Sequence, residues 1–599
     1  MFIYINYLIF ELIDSDLKMF SIEALIDNYY PALHKKNGFT RKHIISFLRT
    51  LFHESEIQQF EKRYAHLEGF DFIDEVLRYF DFTYKISGRD MERIPCHGRV
   101  VIVANHPIGT LDGLALLKLV RKVRPDVKVV ANEFLSRFQA YGPVLLPIDN
   151  MSGKTPRENL KKISKYLEQD GAVIIFPAGE VSRMSPQGVR DGVWNKGFLR
   201  FAKETRSPVL PIYVDGRNSM FFYALSMVAK PLSTLWLMHE MFKQENNTIE
   251  FKVGDKIEYE TYAELGLSAT EVSQLFRRHL YRIGKNKKPL FETRESIAQP
   301  ENAQQIRKEL QECELLGETT DSKKMYLYHY HSNSAIMREI GRLRELSFRA
   351  VGEGTSSHRD IDAYDRNYMH LILWDEEDLE IAGAYRFCDT NLALSTHGID
   401  GIYTSSLFNF NNEMSSYFYR GLEVGRSFVQ PKYWGKRSLD YLWFGIGALL
   451  SRNPQYRYLF GPVSISNRYS TEAKNLLVYF YRLYFGCANK PAVALNPYVI
   501  SDDEATKLES VFCGSDYKQD FIVLKSLLGE KGYTVPTLYK QYAEICEPGG
   551  IYFSDFNIDP DFSDCVDGFV IVDTEMAKAS KRKRYLETGY KQNNEKVAA

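Results

Sequence analysis

A histidine directly follows a buried strand, and an aspartate lies six positions after it. The β-branched run RVVIVAN (99–105) leads into His106, then into a turn that contains Gly109, and then to Asp112 near the start of a helix. A carboxylate beside an imidazole fixes the tautomer of the ring and stabilises the imidazolium that forms when the ring accepts a proton. The pair therefore predicts a general base that acts on a hydroxyl group. A purely structural strand-end histidine is the alternative.

Two further motifs follow in the same half of the chain. FPAGEVSR (176–183) ends one buried strand, and SPVLPIYV (207–214) forms another. In order and approximate spacing, residues 80–260 resemble the glycerolipid (lysophospholipid) acyltransferase family, in which the histidine and aspartate activate an acceptor hydroxyl for attack on an acyl thioester. A plain strand-ending turn is the alternative for the FPAGE residues. The substrate-binding residues that the resemblance implies are Asn105, Gly109, Phe176, Pro177, Gly179 and Glu180.

This half departs from the family pattern in three places. Five residues, rather than the usual four, separate the histidine from the aspartate, and we expect the turn at Gly109 to absorb the extra residue. Ala178 stands where the family has glutamate, and Glu180 is displaced by two positions. The segment 140–150 (AYGPVLLPIDN) lacks the arginine that holds a phosphate in relatives. Because arginine is the natural bidentate partner of phosphate, a hydroxyl acceptor without a phosphate is favoured.

A second set of charged residues lies in the other half of the chain. The motifs RELSF, DIDAYD, GAYRF and LEVGRS resemble those of acyl-homoserine-lactone synthases and, more closely, of ornithine-lipid N-acyltransferases, both of which have the Gcn5-related N-acyltransferase (GNAT) fold. The resemblance covers about residues 325–500. The tryptophan expected soon after the first motif is absent, and VGEGT (351–355) stands there instead. The motif residues are Arg344, Phe348, Asp362, Asp365, Arg386, Glu423 and Arg426.

These residue types suit amide formation, which requires a neutral amine held against a thioester. Glu423, Asp362 or Asp365 can orient an ammonium group and help to remove its proton, and Glu423 is the candidate catalytic residue. The motif arginines suit the acceptor carboxylate or those acids. A loop before a predicted helix carries Gly435 and Lys436, which suit the phosphate of a pantetheine or carrier. Structural salt bridges on strand faces are the alternative.

Buried strands alternate with helices in both halves, and in open sheets of this kind active groups lie just past the strand ends. The pattern predicts an α/β protein with two mixed α/β acyltransferase domains, the first glycerolipid-acyltransferase-like and the second GNAT-like. The polar stretch 285–325 contains the best boundary. The predicted segments are an O-acyltransferase domain over 1–290, a linker over 291–325, an N-acyltransferase domain over 326–577 and a basic tail over 578–599.

Composition limits the classes of function. The 599 residues are 44% apolar and 26% charged, which is ordinary for a globular protein, and the net charge of -1 argues against a general nucleic-acid binder. The 7 cysteines are scattered without CxxC spacing. We therefore expect reduced thiols, a cytoplasmic protein and no metal cluster. Neither chemistry requires a metal or another cofactor.

Three segments are candidates for contact with a membrane. Residues 1–16 are apolar but too short to span a bilayer, and a simple helix start is the alternative. Residues 219–242 form either a surface-bound amphipathic segment or a core helical hairpin. The basic cluster at 578–584 is either a solvated tail or a lipid contact. Together they predict a peripheral location on the inner, cytoplasmic face of the membrane.

Two acyl-transfer domains in one chain suggest consecutive steps, and the whole chain resembles the bifunctional ornithine-lipid (amino-acid lipid) synthases. The resemblance implies that the C-terminal domain N-acylates an amino acid with a 3-hydroxyacyl thioester and that the N-terminal domain then esterifies the 3-hydroxyl. The implied partners are acyl carrier protein thioesters (or acyl-CoA) as co-substrates, the amino acid, the lyso-lipid and a membrane surface. Ornithine, glycine, lysine and glutamine all remain possible acceptors.

Two alternatives remain open at this point. One is a lysophospholipid acyltransferase with a non-catalytic second domain, which predicts an ester product and no amide. The other is a non-enzymatic lipid-surface scaffold, which predicts neither product.

Overall fold

A computed structural model describes residue 22 and residues 38–132, 139–148 and 157–587. The predicted membrane-touching segment at 1–16 lies outside the described residues, and so does the end of the predicted tail, 588–599. The part of the tail that is described packs against the second half of the chain. Arg584 pairs with Asp440 at 2.6 Å, and the Tyr585 hydroxyl donates to the same carboxylate at 2.9 Å. Part of the basic cluster is therefore attached to a helix instead of standing free.

The chain divides into two compact units, Met1–Gln299 and Pro300–Ala599. The predicted linker over 291–325 is not a separate segment, because residues from 300 onward belong to the second unit. Ile306 and Leu310 lie one turn apart on a helix of this stretch, and both are buried. The stretch therefore contains a packed amphipathic helix, although its composition is polar.

The first unit is built on a seven-stranded sheet and a separate two-stranded hairpin. The strand bounds are β1 Thr83–Lys85, β2 Val100–Ala104, β3 Lys128–Asn132, β4 Leu145–Ile148, β5 Ala172–Ile175, β6 Arg183–Ser185, β7 Gly188–Arg190, β8 Val209–Asp215 and β9 Thr248–Val253. The sheet order is β1-β9-β8-β2-β5-β3-β4, and β6 pairs with β7. Strands β8, β2, β5, β3 and β4 are parallel, whereas β9 is antiparallel to β8. The central strand β2 therefore ends beside the carboxyl ends of β5 and β8.

Both faces of this sheet are covered. Val100, Ile102 and Ala104 of β2 pack in one core, whereas Val101 and Val103 pack in another. This alternation follows from the two-residue period of a strand, and burial on both faces explains the continuous apolar run in the sequence. The α-helices are Gly38–Leu51, Glu54–Tyr64, Gly69–Tyr79, Gly88–Glu92, Thr110–Arg121, Arg157–Glu168, Gly197–Glu204, Met220–Val228, Lys230–Phe242, Tyr259–Ala263 and Ala269–Gly284.

The second unit is built on an eight-stranded sheet. The strand bounds are β10 Glu314–Glu318, β11 Lys323–His329, β12 Met369–Asp375, β13 Glu380–Asp389, β14 Phe408–Phe410, β15 Gly421–Val429, β16 Tyr458–Ile465, β17 Ala492–Ala494, β18 Ile551–Asp559 and β19 Cys565–Asp573. The order is β10-β11-β12-β13-β15-β16-β19-β18, and β14 pairs with β17 in a small separate sheet. Neighbours in the large sheet are antiparallel except β15 and β16. The predicted α/β fold class is confirmed.

The parallel strands β15 and β16 separate along their length. They pair over only three positions, Gly421–Glu423 with Tyr458–Phe460. Beyond these positions β15 continues to pair with β13, and β16 continues to pair with β19. The sheet therefore opens between its fifth and sixth strands. The α-helices around it are Ala303–Leu310, Ala335–Val351, Thr390–His397, Met414–Tyr419, Ser438–Arg452, Thr471–Phe485, Asp502–Val511, Tyr517–Glu530, Thr537–Ala543 and Ala579–Arg582.

Within the described ranges, no helix has both the length and the apolar character needed to cross a membrane. The predicted segment at 219–242 is divided at Ala229 into two short helices, Met220–Val228 and Lys230–Phe242.

Gly461 allows the strands to approach each other where they begin to separate. A Cβ atom at this position would lie 2.0 Å from the Val424 carbonyl oxygen, whereas a Cβ at Gly425 would meet no atom within 4 Å. We expect Gly461→Ala to lower the free energy of unfolding by about 2–4 kcal/mol, and Gly425→Ala to change it by about 1 kcal/mol at most. Urea unfolding followed by circular dichroism measures both. Equal effects of the two substitutions would contradict this account of the junction.

Candidate active sites

The predicted histidine–aspartate pair lies at the carboxyl end of β2. The His106 Nδ1 atom is 2.7 Å from the Asp112 Oδ1 atom, and the Asp112 side chain is fully buried. The other carboxylate oxygen, Oδ2, accepts hydrogen bonds from the backbone N–H groups of Ile108 (2.8 Å) and Gly109 (3.4 Å). The backbone thus fixes the carboxylate and leaves Oδ1 for the imidazole, which is the arrangement that a general base with an acid partner requires.

Gly109 absorbs the additional residue between the histidine and the aspartate. Its φ of +121° lies in the region that favours glycine, and the nearest atom to an added Cβ is 3.6 Å away. Backbone conformation, and not crowding, therefore favours glycine at this turn. The structure gives Gly109 a role in shaping the turn and shows no feature that marks it as a substrate contact.

Asp191, which the sequence analysis did not identify, holds the backbone of the histidine. Its Oδ1 atom accepts hydrogen bonds from the His106 N–H (3.3 Å) and the Ser182 hydroxyl (2.5 Å), and its Oδ2 atom accepts from the Trp194 indole (2.8 Å). Ser182 also donates its own N–H to the His106 carbonyl oxygen at 2.7 Å. Asp191 is buried and lies outside every motif recognised in the sequence, so no sequence pattern pointed to it.

Asn105 joins the end of β2 to β8. Its side-chain amide donates to the Val214 carbonyl oxygen at 2.9 Å, and its side-chain oxygen accepts from the Val214 N–H at 2.8 Å. Asn218 holds the next part of the loop by donating to the carbonyl oxygens of Pro107 and Ile108, both at 3.3 Å. Since both polar groups of the Asn105 side chain are occupied, the structure gives this residue a positioning role in place of the predicted substrate contact.

The His106 ring is partly accessible and its environment favours the protonated form. Phe176 stacks on the ring with a centroid distance of 4.3 Å, and 20% of the His106 side chain is exposed. Burial opposes the imidazolium, but the charge of Asp112 and its contact with the ring outweigh burial and raise the pKa of His106. The neutral ring, which is the form that accepts a proton, therefore predominates only above the ordinary imidazole pKa of about 6.5.

The FPAGE turn (176–180) follows β5 and connects the site to the helical hairpin formed by Met220–Val228 and Lys230–Phe242. The N–H of Gly179 (φ +68°) donates to the Phe176 carbonyl oxygen, and the Asn195 N–H donates to the Pro177 carbonyl oxygen. Glu180 pairs with Lys230 of the hairpin at 2.9 Å. Pro177 and Gly179 therefore shape the turn, and Glu180 faces the hairpin.

Arg183 strengthens the same connection. Its guanidinium group donates to the hydroxyl groups of Ser226 (2.7 Å), Ser233 (2.5 Å) and Thr234 (3.3 Å), all on the hairpin. These bonds occupy the guanidinium group on the hairpin side, so Arg183 anchors the hairpin to β6, the strand that follows the FPAGE turn.

The charged motif residues of the second unit form a buried network. Arg344 donates to Asp365 at 2.9 Å, and Arg386 donates to Asp362 (2.7 Å) and to Asp365 (3.2 Å). Arg344 and Arg386 are each about 1% exposed. Burial disfavours the charged guanidinium, but Asp365 and Asp362 outweigh it and raise the pKa of Arg386. The structure therefore brings four predicted residues together as paired charges and leaves Arg344, Asp365 and Arg386 no open face toward a substrate.

Two further motif residues, Phe348 and Arg426, lie beside this network. Phe348 packs edge-on against Phe562 with centroids 5.0 Å apart. Arg426 lies 3.1 Å from the carboxylate of Asp360 and donates to the Tyr403 hydroxyl at 3.1 Å. Its backbone φ of +48° is unusual for a residue with a side chain, and it marks an irregularity in β15 near the opening of the sheet.

Glu423 has a different environment from the one predicted. It is buried on β15, where one carboxylate oxygen accepts from the Thr404 N–H at 2.7 Å. The other oxygen accepts from the Tyr403 N–H at 3.2 Å and from the Tyr368 hydroxyl. The two N–H groups belong to the turn Tyr403–Ser406 and fix it to the strand, so the geometry assigns Glu423 an anchoring role and not that of a catalytic base.

A cavity of about 540 Å³ lies beside the network and includes two of the predicted residues, Asp362 and Arg426. Tyr403, Asn496 and Phe562 also line it. Glu423, Arg344 and Arg386 are not among its lining residues. The ionisable guanidinium and carboxyl groups that line it are Arg359, Arg426, Asp360, Asp362, Asp559 and Asp561.

The predicted phosphate loop lies at the start of helix Ser438–Arg452. Gly435 has a φ of +73° and is exposed, and the exposed Lys436 lies with its Nζ atom 5.1 Å from the centre of the Tyr433 ring. The loop is thus accessible, as a phosphate contact requires. In the part of the chain that the structure describes, no group of three or more His, Cys, Asp or Glu side chains is placed to hold a metal ion.

Two family models match separate parts of the chain. An acyltransferase family matches residues 30–287, and an acetyltransferase (GNAT) domain family matches residues 343–444. The chain is therefore an enzyme that transfers acyl groups. The first match contains the histidine–aspartate pair, and the second contains the charged network.

Curated proteins match different shares of the chain. A glycine N(alpha)-acyltransferase from Phocaeicola vulgatus is 31% identical over 314 residues, which are 50% of this chain and 95% of the relative. A lyso-glycine lipid O-acyltransferase from Bacteroides thetaiotaomicron is 30% identical over 256 residues, 42% of this chain and 92% of the relative. An L-ornithine N(alpha)-acyltransferase from Rhizobium meliloti is 34% identical over 109 residues, 17% of this chain and 36% of the relative. The chain therefore belongs to the families of the glycine N(alpha)-acyltransferase and of the lyso-glycine lipid O-acyltransferase, and it joins an acyltransferase domain and a GNAT domain in one polypeptide.

Proposed function

We propose that the chain is a bifunctional synthase of an N-acyl, O-acyl amino-acid lipid. One observation carries the proposal: a single polypeptide matches almost the full length of an N-acyltransferase and almost the full length of an O-acyltransferase. The two relatives are named for a glycine acceptor and for a lyso-glycine lipid, and the product of the first would be the acceptor of the second. We therefore propose glycine as the amino acid, and a 3-hydroxyacyl thioester of acyl carrier protein or coenzyme A as the first donor.

In the proposed second step, the first unit forms the ester. His106 takes the proton of the lipid's 3-hydroxyl group, and the hydroxyl oxygen attacks the carbonyl carbon of an acyl thioester. The carbon–oxygen bond forms, the carbon–sulfur bond breaks, and the leaving thiolate receives the proton from the imidazolium. Asp112 stabilises the imidazolium at 2.7 Å, and its own position is fixed by the N–H groups of the Gly109 turn. A covalent acyl-enzyme is not required.

The proposed lyso-lipid is amphipathic, so the first unit must reach a lipid surface. The helical hairpin presents Met220 (71% exposed), Met227 (70%) and Val228 (89%) to solvent, and it is joined to the FPAGE turn through Glu180 and to β6 through Arg183. Exposed apolar side chains next to a site for an acyl chain are typical of an interfacial contact. We propose that this hairpin rests on the membrane surface and that the chain is a peripheral cytoplasmic protein.

The two alternatives make different products. A lysophospholipid acyltransferase with an inactive second unit would acylate a lysophospholipid and form no amide. A lipid-surface scaffold would form neither product. Supplying the purified chain with 3-hydroxyacyl and acyl thioesters and with glycine, ornithine, lysine or glutamine in turn, followed by mass spectrometry, separates the three functions.

We expect His106→Ala to abolish ester formation and leave amide formation intact, so that the mono-acylated lipid accumulates. Glu423→Ala should have the converse effect, because the turn at Tyr403 would lose its anchor while the first unit is unchanged. When the mono-acylated lipid is supplied, the Glu423→Ala variant should still form the ester. If both folded variants lost the same single product, the two-step proposal would be wrong.

The pH dependence of ester formation should depend on Asp112. Asp112 raises the pKa of His106 above the ordinary value of about 6.5. The rate of ester formation by the parent enzyme should therefore rise with pH as the ring loses its proton, and the midpoint of this rise should lie above about 6.5. Asp112→Asn removes the charge, so we expect the acidic limb to move to lower pH and the maximal rate to fall by about 100-fold or more. Asp170→Asn, at an exposed carboxylate, is the matched control. An unchanged limb in Asp112→Asn would exclude His106 as the titrating base.

The hairpin contact is tested with vesicles that contain anionic lipid. Placing charges at its exposed tip, with Met227→Asp and Val228→Asp combined, should reduce co-sedimentation with the vesicles at least tenfold, since each apolar side chain contributes about 1.5–3 kcal/mol when buried. Val499→Asp, at a residue of the second unit that is 75% exposed, is the control. Retention of full vesicle binding by the double variant would rule out this surface.

A further inference from the structure

We propose that Asp191 is a positioning residue of the first unit: an ionised carboxylate that fixes the main chain of His106 and stabilises the positive charge that the ring gains when it accepts a proton. The inference rests on the proposed ester formation and adds to it a second acid beside Asp112. Asp191 belongs to none of the motifs that the sequence analysis singled out. It acts through the histidine and is not itself a catalytic residue.

Three hydrogen bonds join Asp191, His106 and Ser182 in a closed ring. The His106 N–H donates to the Asp191 Oδ1 atom at 3.3 Å, and the Ser182 hydroxyl donates to the same oxygen at 2.5 Å. The Ser182 N–H donates in turn to the His106 carbonyl oxygen at 2.7 Å. Both main-chain polar groups of the histidine are thus held, and one carboxylate ties the turn after β2 to the residues that follow the FPAGE turn.

The surrounding residues hold Asp191 itself in place. Its N–H donates to the Tyr281 hydroxyl at 2.7 Å, and the Arg277 guanidinium group donates to its carbonyl oxygen. The Trp194 indole donates to the Oδ2 atom at 2.8 Å. Arg277 and Tyr281 lie one turn apart on the same helix. A group that is fixed on several sides can in turn fix the residue that it contacts, which is the support that a precise site requires.

The hydrogen-bond donors around this carboxyl group favour its ionised form. A carboxylate is an acceptor only, whereas a protonated carboxyl group has an O–H that requires an acceptor. The Asp191 oxygens receive a main-chain N–H, an indole N–H and a hydroxyl group, all of which donate. Burial raises the pKa of Asp191, and these donors and the charge of a protonated His106 oppose that rise. The arrangement of donors therefore matches a negatively charged group.

The charge of Asp191 has no cationic partner in the part of the chain that the structure describes. No lysine or arginine of that part forms an ion pair with the carboxylate, since Arg277 donates to the main-chain oxygen and Arg190 lies over the Tyr281 ring at 4.9 Å. Asp191 is only 2% exposed, so water compensates little of its charge. A positive charge that forms on His106 is therefore stabilised by a buried carboxylate that is not already neutralised.

Two carboxylates act on His106 in different ways. Asp112 lies 2.7 Å from the Nδ1 atom and fixes the ring, which leaves Nε2 for the hydroxyl group of the acceptor. Asp191 contacts the main chain of the same residue. Burial lowers the pKa of His106, but the charge and hydrogen bond of Asp112 and the charge of Asp191 outweigh burial and raise it. Both acids thus favour the imidazolium.

Asp191 keeps its charge throughout the proposed reaction. The hydroxyl proton moves to the ring of His106 and later to the leaving thiolate, so the positive charge exists only between the two transfers. A carboxylate that is fixed beforehand needs no reorganisation when that charge forms, which is how preorganised groups lower a barrier. Its effect should therefore appear in the maximal rate and in the pH profile, and not in the affinity for the thioester.

The test compares ester formation by the full-length chain and by its variants, with a mono-acylated glycine lipid and an acyl thioester as substrates. Asp191→Asn keeps the shape of the side chain and an acceptor oxygen but removes the charge. We expect it to lower kcat about tenfold and to move the acidic limb of the pH profile about half a unit or more to lower pH, with the KM for the thioester unchanged. Asp170→Asn, at an exposed carboxylate, should behave like the parent.

Asn218→Ala separates the effect of the charge from a loss of structure. Asn218 donates to the carbonyl oxygens of Pro107 and Ile108, so this variant loosens the same turn and removes no charge. We expect a lower rate of ester formation with the acidic limb at its original pH. Circular dichroism checks that the variants are folded. If Asp191→Asn behaved like Asn218→Ala, Asp191 would have a structural role only and the inference would be refuted.

The pKa of His106 can also be measured without turnover. Diethyl pyrocarbonate modifies the neutral imidazole, so its rate of reaction at His106, followed by mass spectrometry of the peptide at each pH, reports the pKa of this ring among the 13 histidines. We expect a lower midpoint in Asp191→Asn than in the parent. An unchanged midpoint refutes the inference and leaves the proposed function standing if the parent forms the ester. A shifted midpoint in a chain that forms no ester refutes the proposed function and leaves the effect of Asp191 on His106 standing.

Discussion

A carboxyl group can be buried in a protein only if something inside the fold compensates for the water that it loses. Both units are organised around this constraint. In the first unit, Asp112 is fully buried, and the N–H groups of Ile108 and Gly109 donate hydrogen bonds to one of its oxygens in place of water. The second oxygen faces His106. The turn after β2 therefore fixes the acid first, and the acid then orients the base.

The second unit meets the same constraint with a larger number of charges. Arg344 and Arg386 pair with the charges of Asp362 and Asp365 inside the fold, and together these residues form a network of ion pairs. Removing one partner of such a pair would leave an uncompensated buried charge, which typically costs about 3–5 kcal/mol. Residues of this kind are therefore required by the fold. Their pattern therefore identifies the fold more reliably than it identifies the residues that touch a substrate.

The sequence predicted the elements whose patterns are local. The run over 99–105 contains β2, and the predicted histidine–aspartate pair after it is in contact, with His106 Nδ1 2.7 Å from Asp112 Oδ1. Strand β18 was missed because Ser554, Asp555, Asn557 and Asp559 are all buried in it, so neither an apolar run nor an alternating pattern is visible. Asp191 was missed because two of the groups that it holds, the Ser182 hydroxyl and the His106 N–H, are 9 and 85 residues away in the chain. Glu423 was assigned to catalysis from its motif, and only the positions of Tyr368 and Thr404 reveal that its oxygens are occupied.

The two proposed acceptors would differ in the charge that they bring to the buried acids. An alcohol is neutral, so its activation needs a base that becomes positive, and a fixed carboxylate such as Asp112 must be present beforehand to stabilise that charge. An amino acid arrives as an ammonium ion and brings the compensating charge itself. The proposed alcohol acceptor would therefore need the acid that Asp112 supplies, whereas the proposed amine acceptor would bring its own charge.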